Sequence, residues 1–154
     1  MNDSTRILLW VIGCILFPPL ALIPLYRWWK ARKLRTGHPF QLGLHHHKAE
    51  RYDEAIHALQ RVPAEDEHYV RSQLLAGECF MRQGDFRTAA EVLKRATLKG
   101  NKPTAEEEKT GRYWLGRCYQ ELEQASAAEQ EYRKVYSVDS RYRDVAQRLR
   151  EVAA

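Results

Sequence analysis

The sequence predicts an all-α protein: one N-terminal transmembrane helix, then a stack of three helical hairpins closed by a C-terminal capping helix. Three observations carry this reading. Residues 7–26 contain no Asp, Glu, Lys, Arg or His. A set of small, aromatic and apolar residues recurs with a period near 34. The final stretch spaces its apolar residues three and four apart, the period of one helix face. The predicted division is a short tail at 1–6, a span at 7–26, a basic juxtamembrane segment at 27–35 and a helical domain at 36–154. Within that domain the repeats fall at about 36–68, 70–103 and 109–140, with the capping helix at 141–153.

The first element is the apolar run Ile7–Tyr26. At about 1.5 Å per helical residue it spans roughly 30 Å, the thickness of a bilayer's hydrocarbon core. Twelve of its residues are Leu, Ile, Val or Phe, together worth about −4 to −7 kcal/mol of insertion free energy. Pro18, Pro19 and Pro24 oppose this by removing backbone donors and kinking the helix. Trp10 at one end, and Tyr26, Trp28 and Trp29 at the other, suit the interfacial aromatic belts. A cleaved signal peptide is disfavoured because no small-x-small site follows the run. Cys14 lies too early in it for a lipoprotein box and reads as a lipid-facing side chain.

The second element is the collar Arg27, Lys30, Arg32, Lys33 and Arg35. Only Arg6 and the terminal amine precede the span, so the positive-inside rule keeps the collar and everything after it in the cytoplasm. The collar also suits the anionic lipid headgroups of that surface, at about 1 kcal/mol per residue. The chain's net charge of +5 is concentrated here: residues 1–35 hold six Lys or Arg against Asp3, while residues 36–154 hold 19 basic and 19 acidic residues. A nucleic-acid-binding domain would need surplus cations on its folded part, so that class is excluded.

The third element is the repeat. Gly43, His46, Ala55 and Leu59 recur as Gly77, Phe80, Ala89 and Leu93, and again as Gly116, Tyr119, Ala128 and Tyr132. Successive glycines lie 34 and 39 residues apart, and the extra five fall in Leu98–Thr104, where Gly100 and Pro103 mark a loop. Tyr52, Phe86 and Ala125 stand three before the recurring Ala, and Gly84-Asp85 supplies the turn expected inside a hairpin. Pro39 starts the first helix where its missing donor costs nothing. Thr104 and Glu107 have capping-box spacing, and Glu106-Glu107-Glu108 favours a helix N-terminus over a metal cluster. After the third repeat, Tyr142, Val145, Leu149 and Val152 form the apolar stripe of the capping helix, which a stack needs to cover its open end.

This period and pattern resemble the tetratricopeptide repeat, over about residues 36–154. Three departures stand out. The usual first-helix Trp position holds Pro39, Gln73 and Arg112, the closing Pro is out of register, and His46 replaces the common aromatic. The resemblance implies paired antiparallel helices that approach closely at the small residues, with a concave face lined by first helices. It assigns to that groove Leu44, His47 and Lys48; Arg71, Leu74, Glu78, Met81 and Arg82; and Tyr113, Arg117, Gln120 and Glu121. Lys48, Arg71, Arg82 and Arg117 around Leu74, Met81 and Tyr113 suit a peptide with apolar anchors and some acidic character. Members that clamp a chaperone's terminal carboxylate use Lys, Asn and Arg at set positions. Here those positions hold Phe40, Leu44, Leu75, Thr110 and Trp114, which argues against that subclass.

Little else carries chemistry. Cys79 and Cys118 are equivalent positions one repeat apart, too distant for a disulfide, and read as small core fillers in a reducing compartment. His45, His46 and His47 point about 100° apart on a helix and do not converge on one ion. No phosphate loop, nucleophile motif or cofactor signature occurs, so the predicted protein is neither an enzyme nor a cofactor carrier. The predicted function is a membrane-anchored adaptor that binds a protein or peptide at the cytoplasmic face, in a bacterial inner membrane. The rival reading is an accessory subunit held in a membrane complex by its transmembrane helix. An import-type receptor of a mitochondrial outer membrane is a lesser alternative.

Overall fold

The computed structural model describes residues 37–98 and 102–153. The predicted span 7–26 and the collar Arg27, Lys30, Arg32, Lys33 and Arg35 lie outside the described residues. Among the described residues no helix is long and apolar enough to cross a membrane.

The described residues form seven helices in succession: α1 (Pro39–Lys48), α2 (Tyr52–Leu59), α3 (Tyr69–Arg82), α4 (Phe86–Leu98), α5 (Ala105–Glu121), α6 (Ala125–Val138) and α7 (Val145–Val152). They pair as the hairpins α1/α2, α3/α4 and α5/α6, with α7 single at the end. Each start has a local cause. Pro39 occupies the first turn of α1, and the Nδ1 of His38 accepts from the Phe40 N–H. Its Nε2 meets an Asp66 oxygen at 2.7 Å. Accepting at Nδ1 makes Nε2–H the donor, so one imidazole caps a helix and ties it to the next repeat. At α5 the capping box is complete: the Glu107 N–H donates to the Thr104 hydroxyl, and the Thr104 N–H donates to the Glu107 carboxylate. That cap starts α5 at Ala105, ahead of the 109 drawn from the repeat register.

The three hairpin turns are built alike. Arg51, Asp85 and Gln124 donate their N–H groups back to the carbonyls of His46, Phe80 and Tyr119. The residue just before each donor, Glu50, Gly84 and Glu123, has φ of 57°, 80° and 58°. This is the closure in which a left-handed residue lets late amides satisfy the last carbonyls of a helix. Only the middle hairpin has glycine there, so only that turn was visible in the sequence.

Inside each hairpin the recurring glycine meets the bulky residue sixteen positions later. A Cβ placed on Gly43 would lie 2.5 Å from Leu59 Cγ, on Gly77 2.6 Å from Leu93 Cδ2, and on Gly116 2.6 Å from the Tyr132 ring. The backbone of the first helix therefore rests on the side chain of the second. Ala55, Ala89 and Ala128 are fully buried in the same seams.

The core is divided by repeat. One cluster gathers Ala55, Ile56 and Leu59 with Ala76, Cys79 and Val92. The next gathers Val70, Leu74, Ala89 and Leu93 with Leu115 and Cys118. The last gathers Tyr113, Ala128, Tyr132 and Val135 with Val145. Each hairpin buries its apolar face only against its neighbour, as in a one-dimensional stack. Cys79 and Cys118 are free and buried, and burial pushes both thiols up to about 12.

The capping element differs from the helix expected at 141–153. Tyr142 precedes the helix in a turn, and α7 begins at Val145. The turn repeats the one before α3. Asp66 Oδ1 accepts from the His68 N–H and its carbonyl accepts from Tyr69, while Asp139 does the same for Arg141 and Tyr142. α7 thus stands where the first helix of a fourth repeat would, with Leu149 and Val152 packed on the third repeat.

Candidate interaction groove

Adjacent first helices pack on each other, α1 on α3 and α3 on α5, whereas the second helices α2, α4 and α6 make no comparable contact. A stack tightly spaced on one side and splayed on the other curves toward the tight side. The first helices therefore line a concave face.

The residues assigned to that face from sequence divide into three groups. Leu74 and Tyr113 are core residues, a correction to their assignment. Leu74 is 7 % exposed and packs between repeats two and three, while Tyr113 is 4 % exposed under the C-terminal turn. Arg71 sits at the end of the stack's inner face and pairs with Glu107 at 2.9 Å, joining α3 to α5 beside an open cleft with His68 and Lys102. The rest stay on accessible or half-buried surface. Glu78 is central, 3.5 Å from both His47 Nε2 and Arg82 Nη2. No hydrogen bond completes the His47 contact, which is an ion pair when the imidazole is protonated. Met81 leans on the core between repeats two and three, and Lys48 is exposed.

Gln120 and Arg117 mark the third repeat. The Gln120 side-chain oxygen accepts from the Tyr132 hydroxyl at 3.0 Å and from Arg148 Nη1 at 3.1 Å. Arg148 reaches in from α7 and also meets Asp144 at 2.9 Å. Tyr113 donates its hydroxyl to Asp144. Burial disfavours the Asp144 carboxylate, but the Tyr113 hydroxyl and the Arg148 guanidinium outweigh it and hold its pKa below the ordinary 3.8. Burial raises the Tyr113 hydroxyl in turn, with the Asp144 hydrogen bond adding to it. Arg117 is half-buried, its Nε has no hydrogen-bond partner, and no carboxylate pairs with it among the described residues.

The apolar part of the groove comes from Leu44, assigned there from the sequence, and from Phe40, Leu75 and Trp114, which the sequence offered only as an argument against carboxylate clamping. Phe40 and Leu75 are half-buried against the first inter-repeat core, Trp114 against the next two, and Leu44 is half-exposed. Phe40 also stacks on the His68 ring at 4.7 Å. The same register that placed Phe40, Leu75 and Trp114 at clamp positions would have assigned them to the groove as it did Leu44. Among the described residues no group of His, Cys, Asp and Glu is arranged to hold a metal ion.

Family models of the tetratricopeptide repeat match residues 46–107 and 110–142. The chain is similar in fold to the first such domain of Spaghetti (RPAP3) bound to the HSP90 peptide SRMEEVD, with a TM-score of 0.64 at 16 % identity over 75 % of this chain and 89 % of that one. It is also similar to PcrH from Pseudomonas aeruginosa, with a TM-score of 0.63 at 18 % identity over 75 % and 89 %. PcrH in complex with the chaperone binding region of PopD gives 0.56 at 16 % identity over 75 % and 83 %. A comparison with curated proteins found no match.

Proposed function

The chain is a tetratricopeptide-repeat protein, and from that premise we propose that it is a non-enzymatic adaptor holding a peptide segment of a partner protein in its concave groove. One observation carries the reading: the first helices present Phe40, Leu44, Leu75, Met81 and Trp114 incompletely buried along one face, edged by Lys48, Arg82 and Arg117, the last without a carboxylate partner among the described residues. Apolar anchors fill such sites, and acidic side chains of the segment would answer the unpaired guanidinium. Similar folds bind peptides, an HSP90 peptide in one case and a region of PopD in the other. The clamp positions here are Phe40, Leu44, Leu75, Thr110 and Trp114, so recognition rests on apolar side chains rather than on a terminal carboxylate.

The adaptor works at a membrane in this proposal. Residues 7–26 anchor it, and the collar of Arg27, Lys30, Arg32, Lys33 and Arg35 keeps the repeats on the cytoplasmic side and against lipid headgroups, in a bacterial inner membrane. The apolar run and the charge asymmetry of the sequence support this.

The test is site-specific photocrosslinking in full-length protein, with the probe at Leu44 or Gln120 on the first helices and at His57 or Tyr136 on the second. A partner captured from the first pair alone, and lost when Lys48, Arg82 and Arg117 are changed together to Glu, is the expected result. Capture from the second pair alone would reject the groove.

A further inference from the structure

Beneath the C-terminal turn, beside the third-repeat end of the groove, the buried Tyr113 and its neighbours form an aromatic cage that the chain fills with its own cation. The guanidinium of Arg143 lies 5.0 Å from the centre of the Tyr113 ring, 5.7 Å from that of Trp114 and 5.4 Å from that of Tyr142. Tyr113 and Trp114 come from α5, and Tyr142 from the turn before α7, its hydroxyl 2.9 Å from Thr110 Oγ1. Three π-faces converging on one cation is the arrangement by which proteins recognise arginine, lysine or quaternary ammonium groups.

Arg143 is weakly committed to this place. It is exposed, and among the described residues it makes no hydrogen bond or ion pair; the rings are its partners. Its φ of 48° is one that a non-glycine residue adopts at a cost. Neighbouring groups are anchored without it. Tyr113 is held by Asp144, Tyr142 by Thr110, and Lys109, 4.6 Å from the centre of the Tyr142 ring, by Glu106 and Asp139. With Arg143 removed, Lys109, Arg141 and Arg148 stand against Glu106, Asp139 and Asp144, so the surroundings of the cage are charge-balanced and the cation is recognised by the rings.

We propose that the Tyr113, Trp114 and Tyr142 cage is a recognition pocket for an arginine side chain of the groove's partner, and that Arg143 is an internal stand-in displaced on binding. The proposal rests on the groove reading and deepens it: the partner segment carries apolar anchors and an arginine at its third-repeat end. Displacement exchanges one cation for another on the same rings. Arg143 thereby screens out segments that lack the cation.

The experiment uses full-length protein in detergent micelles with indole-labelled tryptophan, following the Trp114 Nε1–H resonance by NMR. The probe is N-acetyl-arginine-N-methylamide, with the citrulline derivative as its neutral isostere. R143G empties the cage and suits the positive φ, and R143Q empties it with a polar side chain in place. In both variants the Trp114 signal should shift saturably with the arginine probe, at least tenfold more sensitively than in the parent protein and fivefold more than with citrulline. Equal responses to arginine and citrulline, or no response in either variant, would overturn the pocket. Undocking of α7 in both variants, seen as loss of the Leu149 and Val152 methyl dispersion, would overturn it too by making Arg143 a structural clasp. Photocrosslinking from Leu44 that survives such a failure would leave groove binding standing, whereas its loss would indict the groove itself.

Discussion

At the scale of single residues, the glycines at the hairpin seams set the helix spacing. Gly116 rests on the rigid ring of Tyr132, which is fully buried and tied by its hydroxyl to Gln120. Alanine there adds a methyl where nothing can retreat, costing about 1–3 kcal/mol of overpacking against about 1 kcal/mol of helix propensity gained. Gly111 differs: its added Cβ would meet only one atom, the terminal Leu74 Cδ2 at 3.1 Å, the far end of a flexible side chain that needs to give by a few tenths of an ångström. Gly116→Ala should therefore lower the urea unfolding free energy by about 1 kcal/mol or more, and Gly111→Ala should leave it nearly unchanged. Equal losses would show that Tyr132 yields. The glycines and their partners sixteen residues on were legible as a recurring pattern, because both lie within one hairpin. The burial of Leu74 and Tyr113 was not, since it depends on which neighbouring repeat covers each side chain.

At the scale of elements, the turns are where sequence and backbone disagree. Glu50 and Glu123 occupy left-handed positions that Gly84 fills in the middle hairpin. A non-glycine residue there costs about 1–2 kcal/mol, partly recovered because glycine loses more freedom on folding. Glu50→Gly and Glu123→Gly should each raise stability by about 0.5–1 kcal/mol in urea titrations, and Gly84→Ala should lower it by about 1 kcal/mol. No gain from either glutamate substitution would mean that the two turns relax to another geometry. The capping helix shows the limit of periodicity in the same way. Tyr142 continues the apolar spacing of α7, yet Asp139 captures the Arg141 amide and closes a turn first, so the helix waits until Val145. Spacing records which side chains face the core and is silent on whether the backbone between them is helical.

At the scale of the whole molecule, the ends of the stack are held by carboxylates. The amide of His68 and the imidazole of His38 hold Asp66 below its ordinary 3.8, and Lys109 with the Arg141 amide does the same for Asp139. Asp144 is lowered as well, and the hydroxyl and amide of Thr88 lower Asp85. A carboxylate whose pKa falls on folding stabilises the native state fully above its unfolded pKa and ceases to do so as pH falls through the folded value. The urea midpoint should therefore drop as pH falls below about 4. Because Asp139 and Asp144 both fasten the last turn, α7 amides should lose hydrogen-exchange protection before those of α3. Asp139→Asn with Asp144→Asn should flatten the acid limb, and an unchanged limb would place the acid sensitivity elsewhere.

By itself the sequence determined the repeat, its period, the helix caps at Pro39 and Thr104 and the seams between paired helices. The caps and seams are local, encoded within some twenty residues by spacing, propensity and the absence of a side chain, and the period is their recurrence along the chain. Tertiary structure alone decided which groove positions are open, that Arg117 stands unpaired, and that Arg143 meets the rings of Tyr113 and Trp114 from about thirty residues away. Those outcomes depend on how one repeat covers the next, and packing between distant segments leaves no period in the chain to read.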